Sequence, residues 1–300
     1  MASQRDVKNK IASVRNIQKI TRAMEMVAAA RLRRAEQRIE ALRPYADALA
    51  RMTRQAAQAA GAETARVPLL REHESESAVG LLLVTGDRGL AGGFNSQVIR
   101  AGVRLSAEMS EQGLRSNWYA TGRRGVSSIS FRGHELLGAY TGFADRPAYA
   151  DARTIADDVI QAYLDDRLDR VEMLYNSYVS PLTQTVTRQT LLPLSGQALA
   201  EAHLDGEGDS ASTMRTPVDY EPDPEKILRR LVPDYVEISI YRALVESAAG
   251  FFGAQMTAMR SASENAGEII TDYTLQMNRA RQAEITQEIM EVVAGAEGLS

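Results

Sequence analysis

The stretch from Pro233 to Gly298 constrains this chain more than any other. It holds no proline after Pro233, and its apolar residues recur three and four apart: Val236, Ile240, Leu244, Phe251, Met256, Met259, Ile269, Tyr273, Met277, Ile285, Ile289 and Val292. That spacing predicts one helix of about 60 residues, which at ~1.5 Å per residue would span roughly 90 Å. A single globular core of ordinary size has no use for a helix that long, so the stripe needs a partner of comparable length.

The partner is at the other end of the chain. From residue 3 to about 58 the apolar positions run Val7, Ile11, Val14, Ile17, Ile20, Met24, Val27, then Ala35, Ile39, Leu42, Ala46, Leu49 and Met52, the steps of a coiled-coil seam. Ser3 is the expected N-cap, with Asp6 completing a loose capping box. Pro44 falls inside a pattern that resumes at once, which predicts a bend rather than an end. Charge matches the two segments. Residues 1–58 carry 13 Lys/Arg against 5 Asp/Glu, and residues 234–300 carry 4 against 10. The expected architecture is an antiparallel coiled coil of N- and C-terminal helices carrying a small Rossmann-like α/β domain. Gly250, Gly253 and Gly267 within the C-terminal helix each cost about 1 kcal/mol relative to Ala. They read as points of close approach by the partner helix or as a compliant segment.

Between the helices the periodicity changes. Ala78–Thr85 is a short continuous apolar run, the pattern of a buried parallel strand. A glycine-rich turn, Gly86-Asp87-Arg88-Gly89-Leu90-Ala91-Gly92-Gly93-Phe94-Asn95, leads into a helix over 96–112. Further strands are expected at 117–121, at 136–143 as an edge, and at 170–180 and 184–194 as a hairpin around Pro181-Leu182. Helices are expected at 122–131 and 151–165. Strands alternating with helices argue for a mostly parallel sheet. Residues 196–220 read as an acidic surface loop. Pro224 opens a short helix to Leu231, and Val232-Pro233-Asp234 turns the chain into the long helix with Asp234 as N-cap.

Composition removes several functions. There is no cysteine, hence no disulfide framework, thiolate site or thiol nucleophile, and with three histidines a histidine metal cluster is not expected. A net charge of −4 gives no reason to expect nucleic acid. No apolar run approaches the ~20 residues of a spanning helix. The N-terminus goes straight into a charged helix, without a signal-peptide core.

The glycine-rich turn is the strongest catalytic candidate, because such a turn entering a helix can hold phosphate. Its spacing, G-x-x-G-x-x-G-G, is neither the dinucleotide nor the Walker pattern, and it lacks the Lys-Ser/Thr that would reach a phosphate. A structural tight turn is the preferred reading. Asp157-Asp158 and Asp165-Asp166 read as solvated carboxylates, and Ser127 and Ser128 lack a His/Asp pattern for a hydrolase triad. Arg31-Leu32-Arg33-Arg34 is either a docking cluster for an acidic surface or a solvated face. Met24, Met26, Met256, Met259 and Met277 suit coiled-coil packing, or adaptable contact with a changing surface.

Three stretches carry a family resemblance. Ile11-Ala12-Ser13-Val14-Arg15-Asn16-Ile17-Gln18-Lys19-Ile20-Thr21-Arg22-Ala23-Met24-Glu25-Met26-Val27-Ala28-Ala29 closely resembles the N-terminal signature of the F-type ATP synthase gamma subunit, bacterial type. So do Asn278-Arg279-Ala280-Arg281-Gln282 and Ile285-Thr286-Gln287-Glu288-Ile289 through Gly295-Ala296. The turn from Gly86 to Asn95 is similar to the family's mid-domain motif. The likeness covers the whole chain in order, most specifically at its two ends.

The resemblance implies the central stalk of a rotary, proton-translocating ATP synthase: a non-catalytic rotor shaft without cofactor or metal. Its implied partners are the alpha and beta subunits of the catalytic ring, the epsilon subunit and the c-ring of the membrane sector, with no nucleic acid and no direct membrane insertion. Met24 would lie near the beta lever loops. Arg281, Gln282, Thr286 and Glu288 would make polar contacts inside the ring, and the apolar C-terminal tip would run in a bearing. Where the family commonly has an arginine, this chain has Gln255, so a contact with beta that uses that charge is not implied. The expected division is 1–58 and 233–300 for the coil helices, 59–76 a linker, 77–195 the α/β domain, and 196–232 the acidic loop with a connecting helix. The expected place is the cytoplasmic face of a bacterial membrane, as a peripheral protein; the lack of a transit peptide points the same way. Two alternatives stay open. A nucleotide-binding α/β enzyme with coiled-coil arms predicts nucleotide affinity in the isolated chain. A coiled-coil adaptor predicts some other partner and no catalytic ring.

Overall fold

The computed structural model describes residues 4–73, 75–194 and 223–297. In chain order the elements are α1 (Gln4–Ala60), two 3₁₀ turns (Gly61–Arg66 and Pro68–Leu70), β1 (Ala78–Val84), α2 (Phe94–Glu111), β2 (Arg115–Thr121), α3 (Arg123–Phe131), β3 (Leu136–Tyr140), α4 (Tyr149–Leu164), β4 (Arg170–Tyr178), β5 (Gln184–Leu192) and α5 (Pro224–Glu297). They form two compact units, residues 31–254 and residues 1–30 with 255–300. The acidic stretch 196–220 and the expected N-cap Ser3 lie outside the described residues.

In the unit 31–254 a five-stranded sheet has the order β3-β2-β1-β4-β5. β1 pairs in parallel with β2 and β4, β2 pairs in parallel with β3, and β4 and β5 form the antiparallel hairpin. All seven residues of β1 are buried, as a central strand covered on both faces requires. Alternation then divides the core. Val79, Leu81 and Leu83 join Val98, Leu105, Met109, Trp118 and Ile129 on the α2–α3 face. Leu82 and Val84 join α4, the later part of α1 (Ala46, Leu49, Ala56) and the start of α5 on the other. The expected edge strand 136–143 is an edge, and it ends at Tyr140.

The break expected at Pro233 does not occur: α5 is continuous from Pro224 and contains Pro233. An interior proline loses one ladder bond and crowds the carbonyl four residues back, at a cost of about 3 kcal/mol or more. The side chains around it outweigh that cost. Leu228, Val232 and Val236 are fully buried and Tyr235 is nearly so, all in one core, and each such burial contributes roughly 1.5–3 kcal/mol. The cap is therefore Asp223 rather than Asp234. The Asp223 Oδ1 accepts from the Glu225 N–H at 3.1 Å, with Pro224 at the first helical position where it has no donor to lose. Helix α1 likewise runs through Pro44, which is exposed.

In the other unit the N-terminal part of α1 lies antiparallel to α5. Lys10 Nζ stands 5.8 Å over the Tyr273 ring. Gln18 Nε2 donates to the Ser263 carbonyl at 3.2 Å. Arg260 Nε donates to Glu25 Oε1 at 2.8 Å. Rising numbers on α1 thus meet falling numbers on α5.

The seam differs from the expected one. Val7, Ile11 and Val14 belong to it, but it continues through Gln18, Thr21, Glu25 and Ala28, and in the other unit Leu32 and Ala35 of the same helix are buried at the same spacing. These are unbroken steps of four and three. The expected Ile17, Ile20 and Val27 are 51%, 59% and 53% exposed. Small Thr21 and Ala28 let the helices approach, and Gln18 and Glu25 have polar partners across the seam, so apolarity alone misassigned this face. On α5 the facing residues include Met259 and Ala266, and Ile269 is exposed.

Candidate functional site

In open α/β sheets ligands enter beyond the carboxyl ends of the strands, where the strand order reverses. Here that reversal lies between β1 and β4. β1 leads through α2 outward to β2, whereas β3 leads through α4 across to β4 on the other side. Gly86 follows β1 at this point, and Asn176, Ser177 and Tyr178 end β4.

The crevice is filled from within the chain. Phe251 of α5 packs so close to Gly86 that a Cβ there would lie 3.1 Å from its ring. Phe251 also meets Phe94 edge-to-face, with centroids 5.8 Å apart, and it stands against Phe252 in the same way at 5.7 Å. Both phenylalanines on α5 are buried. Gly250 leaves room for Phe94 and Gln184, and Gly253 for the Pro181 carbonyl. The two helical glycines are thus places of close approach, as expected, but to the sheet unit and not to the partner helix. Gly267 does face the partner helix, at Gln18.

The glycine-rich turn supplies its own ligands. The Asn95 Oδ1 accepts from the Gly86 N–H at 2.8 Å, and Asn95 Nδ2 donates to the Arg88 carbonyl at 3.0 Å. The Asp87 carboxylate accepts from the backbone N–H groups of Arg123 (3.0 Å), Gly142 (3.1 Å) and Ala144 (3.1 Å). Asp87 thereby ties the turn to the start of α3 and to the loop after β3. Gly92, at φ +56, makes the left-handed step that lets the chain enter α2. These contacts support the structural reading of the turn.

The end of β4 holds three elements with three successive side chains. Asn176 Nδ2 donates to the Phe94 carbonyl at 3.0 Å. Ser177 Oγ donates to Glu246 Oε2 on α5 at 2.9 Å, and Glu246 also accepts from Arg242 Nε at 2.7 Å. The Tyr178 hydroxyl donates to Glu36 on α1. Burial, and then this bond to a carboxylate, push the Tyr178 phenol well above its ordinary pKa, so it stays a donor. Arg31 of the basic cluster is also engaged: its Nη1 is 3.3 Å from Asp145 Oδ2, and its guanidinium stands over the Phe252 ring at 5.7 Å. Arg88 reaches the same Asp145 oxygen at 3.6 Å. Arg33 and Arg34 are exposed.

The remaining carboxylate candidates are surface groups. Asp158 accepts from the Tyr140 hydroxyl and Asp165 pairs with Arg167. Among the described residues no group of three or more His, Asp or Glu could hold a metal ion, and no helix is long and apolar enough to cross a membrane.

The residues singled out for partner contact lie in the unit of residues 1–30 with 255–300. Arg281, Gln282, Thr286 and Glu288 are all exposed, in a stretch of α5 where every residue from 281 to 294 is exposed. Thr286 Oγ1 donates back to the Gln282 carbonyl at 2.8 Å. Met24 is half-buried on α1, and by the register it stands near Arg260, about 20 residues and so roughly 30 Å along the helix from Arg281. The structure groups the four α5 residues and leaves Met24 apart from them. It adds the exposed stripe Ile17, Ile20 and Val27 beside Met24, and the exposed Ile285, Ile289, Met290, Val292 and Val293 beside the α5 four.

These features define a class: a pair of antiparallel terminal helices attached to an α/β sheet whose ligand crevice is closed by one of those helices. The family model described as ATP synthase matches residues 3–299. The ATP synthase gamma chain of Rubrobacter xylanophilus is 43% identical over 300 residues, covering 100% of this chain and 99% of the relative. That of Streptomyces avermitilis is 41% identical over 303 residues, covering 100% and 97%. Among solved structures, a chain of the Euglena gracilis mitochondrial ATP synthase, OSCP/F1/c-ring, aligns with TM-score 0.66 and 14% identity, covering 99% of this chain and 94% of that one. A chain of the Tetrahymena thermophila mitochondrial ATP synthase, central stalk/c-ring, aligns with TM-score 0.58 and 24% identity, covering 81% and 99%. The two structures share the fold. The chain belongs to the ATP synthase gamma chain family.

Proposed function

We propose that this chain is the central stalk of a proton-translocating F-type ATP synthase, a non-catalytic subunit that couples rotation of the c-ring to conformational change at the beta catalytic sites. Its partners are the alpha and beta subunits, epsilon and the c-ring. The observation that carries this reading is the antiparallel helix pair with a second apolar stripe left facing outward. An isolated coiled coil has no use for Ile17, Ile20 and Val27 on its solvent face, and each, already about half covered, would contribute roughly 1–1.5 kcal/mol if a partner covered the rest. Met24 and this stripe face the beta subunits. Arg281, Gln282, Thr286 and Glu288 make polar contacts within the ring, and Ile285 to Val293 form the apolar surface that turns in its bearing. Rotation asks for stiffness and asymmetry, which a two-stranded coil from one chain supplies.

In the proposed division, residues 1–58 and 233–300 form the shaft, 59–76 a linker, 77–195 the sheet domain, and 196–232 the acidic loop with its connecting segment. The protein is peripheral, on the cytoplasmic face of the bacterial membrane. The alternative, a nucleotide-binding enzyme, is disfavoured because Phe251 fills the crevice beside Gly86 where a nucleotide would enter. Purification of the tagged chain from its own cells tests the reading. Recovery with alpha, beta and epsilon in an ATP-hydrolysing complex is expected. Recovery alone, with nucleotide bound to the sheet domain, refutes it.

A further inference from the structure

Torque passing between a domain and a shaft is borne by contacts that resist turning of one against the other. Within residues 31–254 the later part of α1 and the start of α5 share a core with the sheet and α4, and the Tyr149 hydroxyl donates to Glu237 of α5. At the crevice the hydrophobic contacts are Phe251 between Gly86 and Phe94, and Phe252 beneath the Arg31 guanidinium. The polar ones come from both sides of the crevice. On one side Asp145 is shared between Arg31 of α1 and Arg88 of the glycine-rich turn. The loop carrying Asp145 is itself fixed, because Asp87 accepts from the Gly142 and Ala144 backbone N–H groups. On the other side Ser177 and Tyr178 bond Glu246 of α5 and Glu36 of α1. Gly250 and Gly253 let the helix sit this deep, since a Cβ at either would meet Phe94 at 3.0 Å or the Pro181 carbonyl at 2.8 Å.

We propose that this crevice is a socket: the ligand site of the α/β fold has become the joint through which the sheet domain turns the helix pair, with Phe251 and Arg31 as its positioning residues. The proposal rests on the central-stalk reading. It adds to that reading where the load passes and which side chains carry it. Close-packed aromatic contacts are stiff because interiors have low compressibility. An apolar ring in a filled crevice resists shear, and the ion pairs on one flank and the hydrogen bonds on the other resist rotation. If they are removed, the shaft stays attached through the rest of the α5 core, from Leu228 to Leu244, but yields more under the same torque.

The test uses the assembled complex, fixed through its catalytic ring, with a probe on the c-ring and the rotor stalled. The variance of the probe angle is inversely proportional to torsional stiffness. The variants are Phe251→Ala and Arg31→Ala, the conservative Phe251→Leu and Arg31→Lys, and Ile129→Ala as a control. Ile129 is fully buried on the α2–α3 face of the sheet, away from the socket. The variance should rise in both alanine variants of the socket, more in Phe251→Ala than in Arg31→Ala, fall back toward wild type in the conservative pair, and stay unchanged in Ile129→Ala. If Phe251→Ala prevents assembly, Arg31→Ala decides, because its side chain is 43% exposed and lies outside the buried core. Wild-type variance in Arg31→Ala, or an equal rise in Ile129→Ala, overturns the joint and leaves the stalk intact. Failure of the wild-type chain to assemble into an ATP-hydrolysing complex would instead overturn the stalk reading itself.

Discussion

Replacing Gly253 by alanine sets two known effects against each other. In a helix interior alanine is favoured over glycine by about 1 kcal/mol, so local propensity alone predicts a more stable protein. The structure predicts the opposite. The new methyl would stand 2.8 Å from the Pro181 carbonyl oxygen and 3.3 Å from both Pro181 Cα and Gln184 Nε2. Two of these three atoms belong to the backbone at the hairpin tip and cannot swing away. Overpacking of this kind costs typically ~1–3 kcal/mol. The net change is therefore a loss of up to about 2 kcal/mol. Gly250→Ala is the internal comparison. Its methyl would meet Phe94 Cε2 at 3.0 Å and Gln184 Cγ at 3.2 Å, side-chain atoms that can give way, so it should fall closer to neutral. The chain's single tryptophan makes the assay direct. Trp118 is 2% exposed on β2, so urea titration followed by its fluorescence reports the sheet unit alone. A midpoint raised in Gly253→Ala, by the amount propensity gives, would refute the close-approach argument.

Two further predictions concern other parts of the molecule. The Asp169 carboxylate is buried, which by itself would raise its pKa, yet the Ser77 and Ala78 backbone N–H groups, the Ser77 hydroxyl and His73 together bring it below the ordinary value. A depressed carboxylate adds stability above its unfolded pKa of about 3.9 and loses it as pH falls through the folded value. Acid unfolding of the sheet unit should thus begin below about pH 4, and Asp169→Asn should cost about 1–3 kcal/mol at neutral pH while flattening that acid limb, as read by urea midpoints across pH. The helix pairing can be tested by cross-linking, because the chain has no native cysteine. Gln18→Cys with Gly267→Cys should be joined efficiently by a short thiol-to-thiol cross-linker, seen on denaturing gels, since the tip of the Gln18 side chain reaches to 3.2 Å from where a Gly267 Cβ would be. Ile17→Cys with Gly267→Cys should not, and equal yields from the two pairs would mean that the seam runs where apolarity first suggested.

Much of the fold was legible because its signals are local. The apolar run of β1, the period change at Ser77 and the long proline-free helix are all properties of short windows. The errors arose where long-range packing overrode a local rule. Pro233 is a helix breaker by its own chemistry, and only the burial of Leu228, Val232, Tyr235 and Val236 in one core explains why the helix continues. The seam was misread because Ile17, Ile20, Met24 and Val27 are the most apolar choices, whereas the structure uses Gln18, Thr21, Glu25 and Ala28. A signal did exist: the expected stripe skips from Val27 to Ala35, while the buried positions of α1 keep steps of four and three through Ala28 and Leu32. The socket had no comparable signal. Gly250-Phe251-Phe252-Gly253 is legible as a departure from a family pattern, but its place between β1 and β4 depends on strand order and on the contact of Phe251 with Gly86, more than 150 positions away in sequence.

That distance in sequence also fixes an order of events during synthesis. Every strand of the sheet, together with α1 to α4, leaves the ribosome before the first residue of α5. Until then the crevice beside Gly86 and Phe94 stands open, and the core on the α4 side lacks Leu228, Val236, Ile240 and Leu244. The newborn chain carries a complete sheet without the part of its core that α5 supplies, a state prone to capture by other apolar surfaces. The last segment to be made is thus the one that seals the domain, and a message cut short before α5 yields a sticky fragment rather than a smaller stable protein.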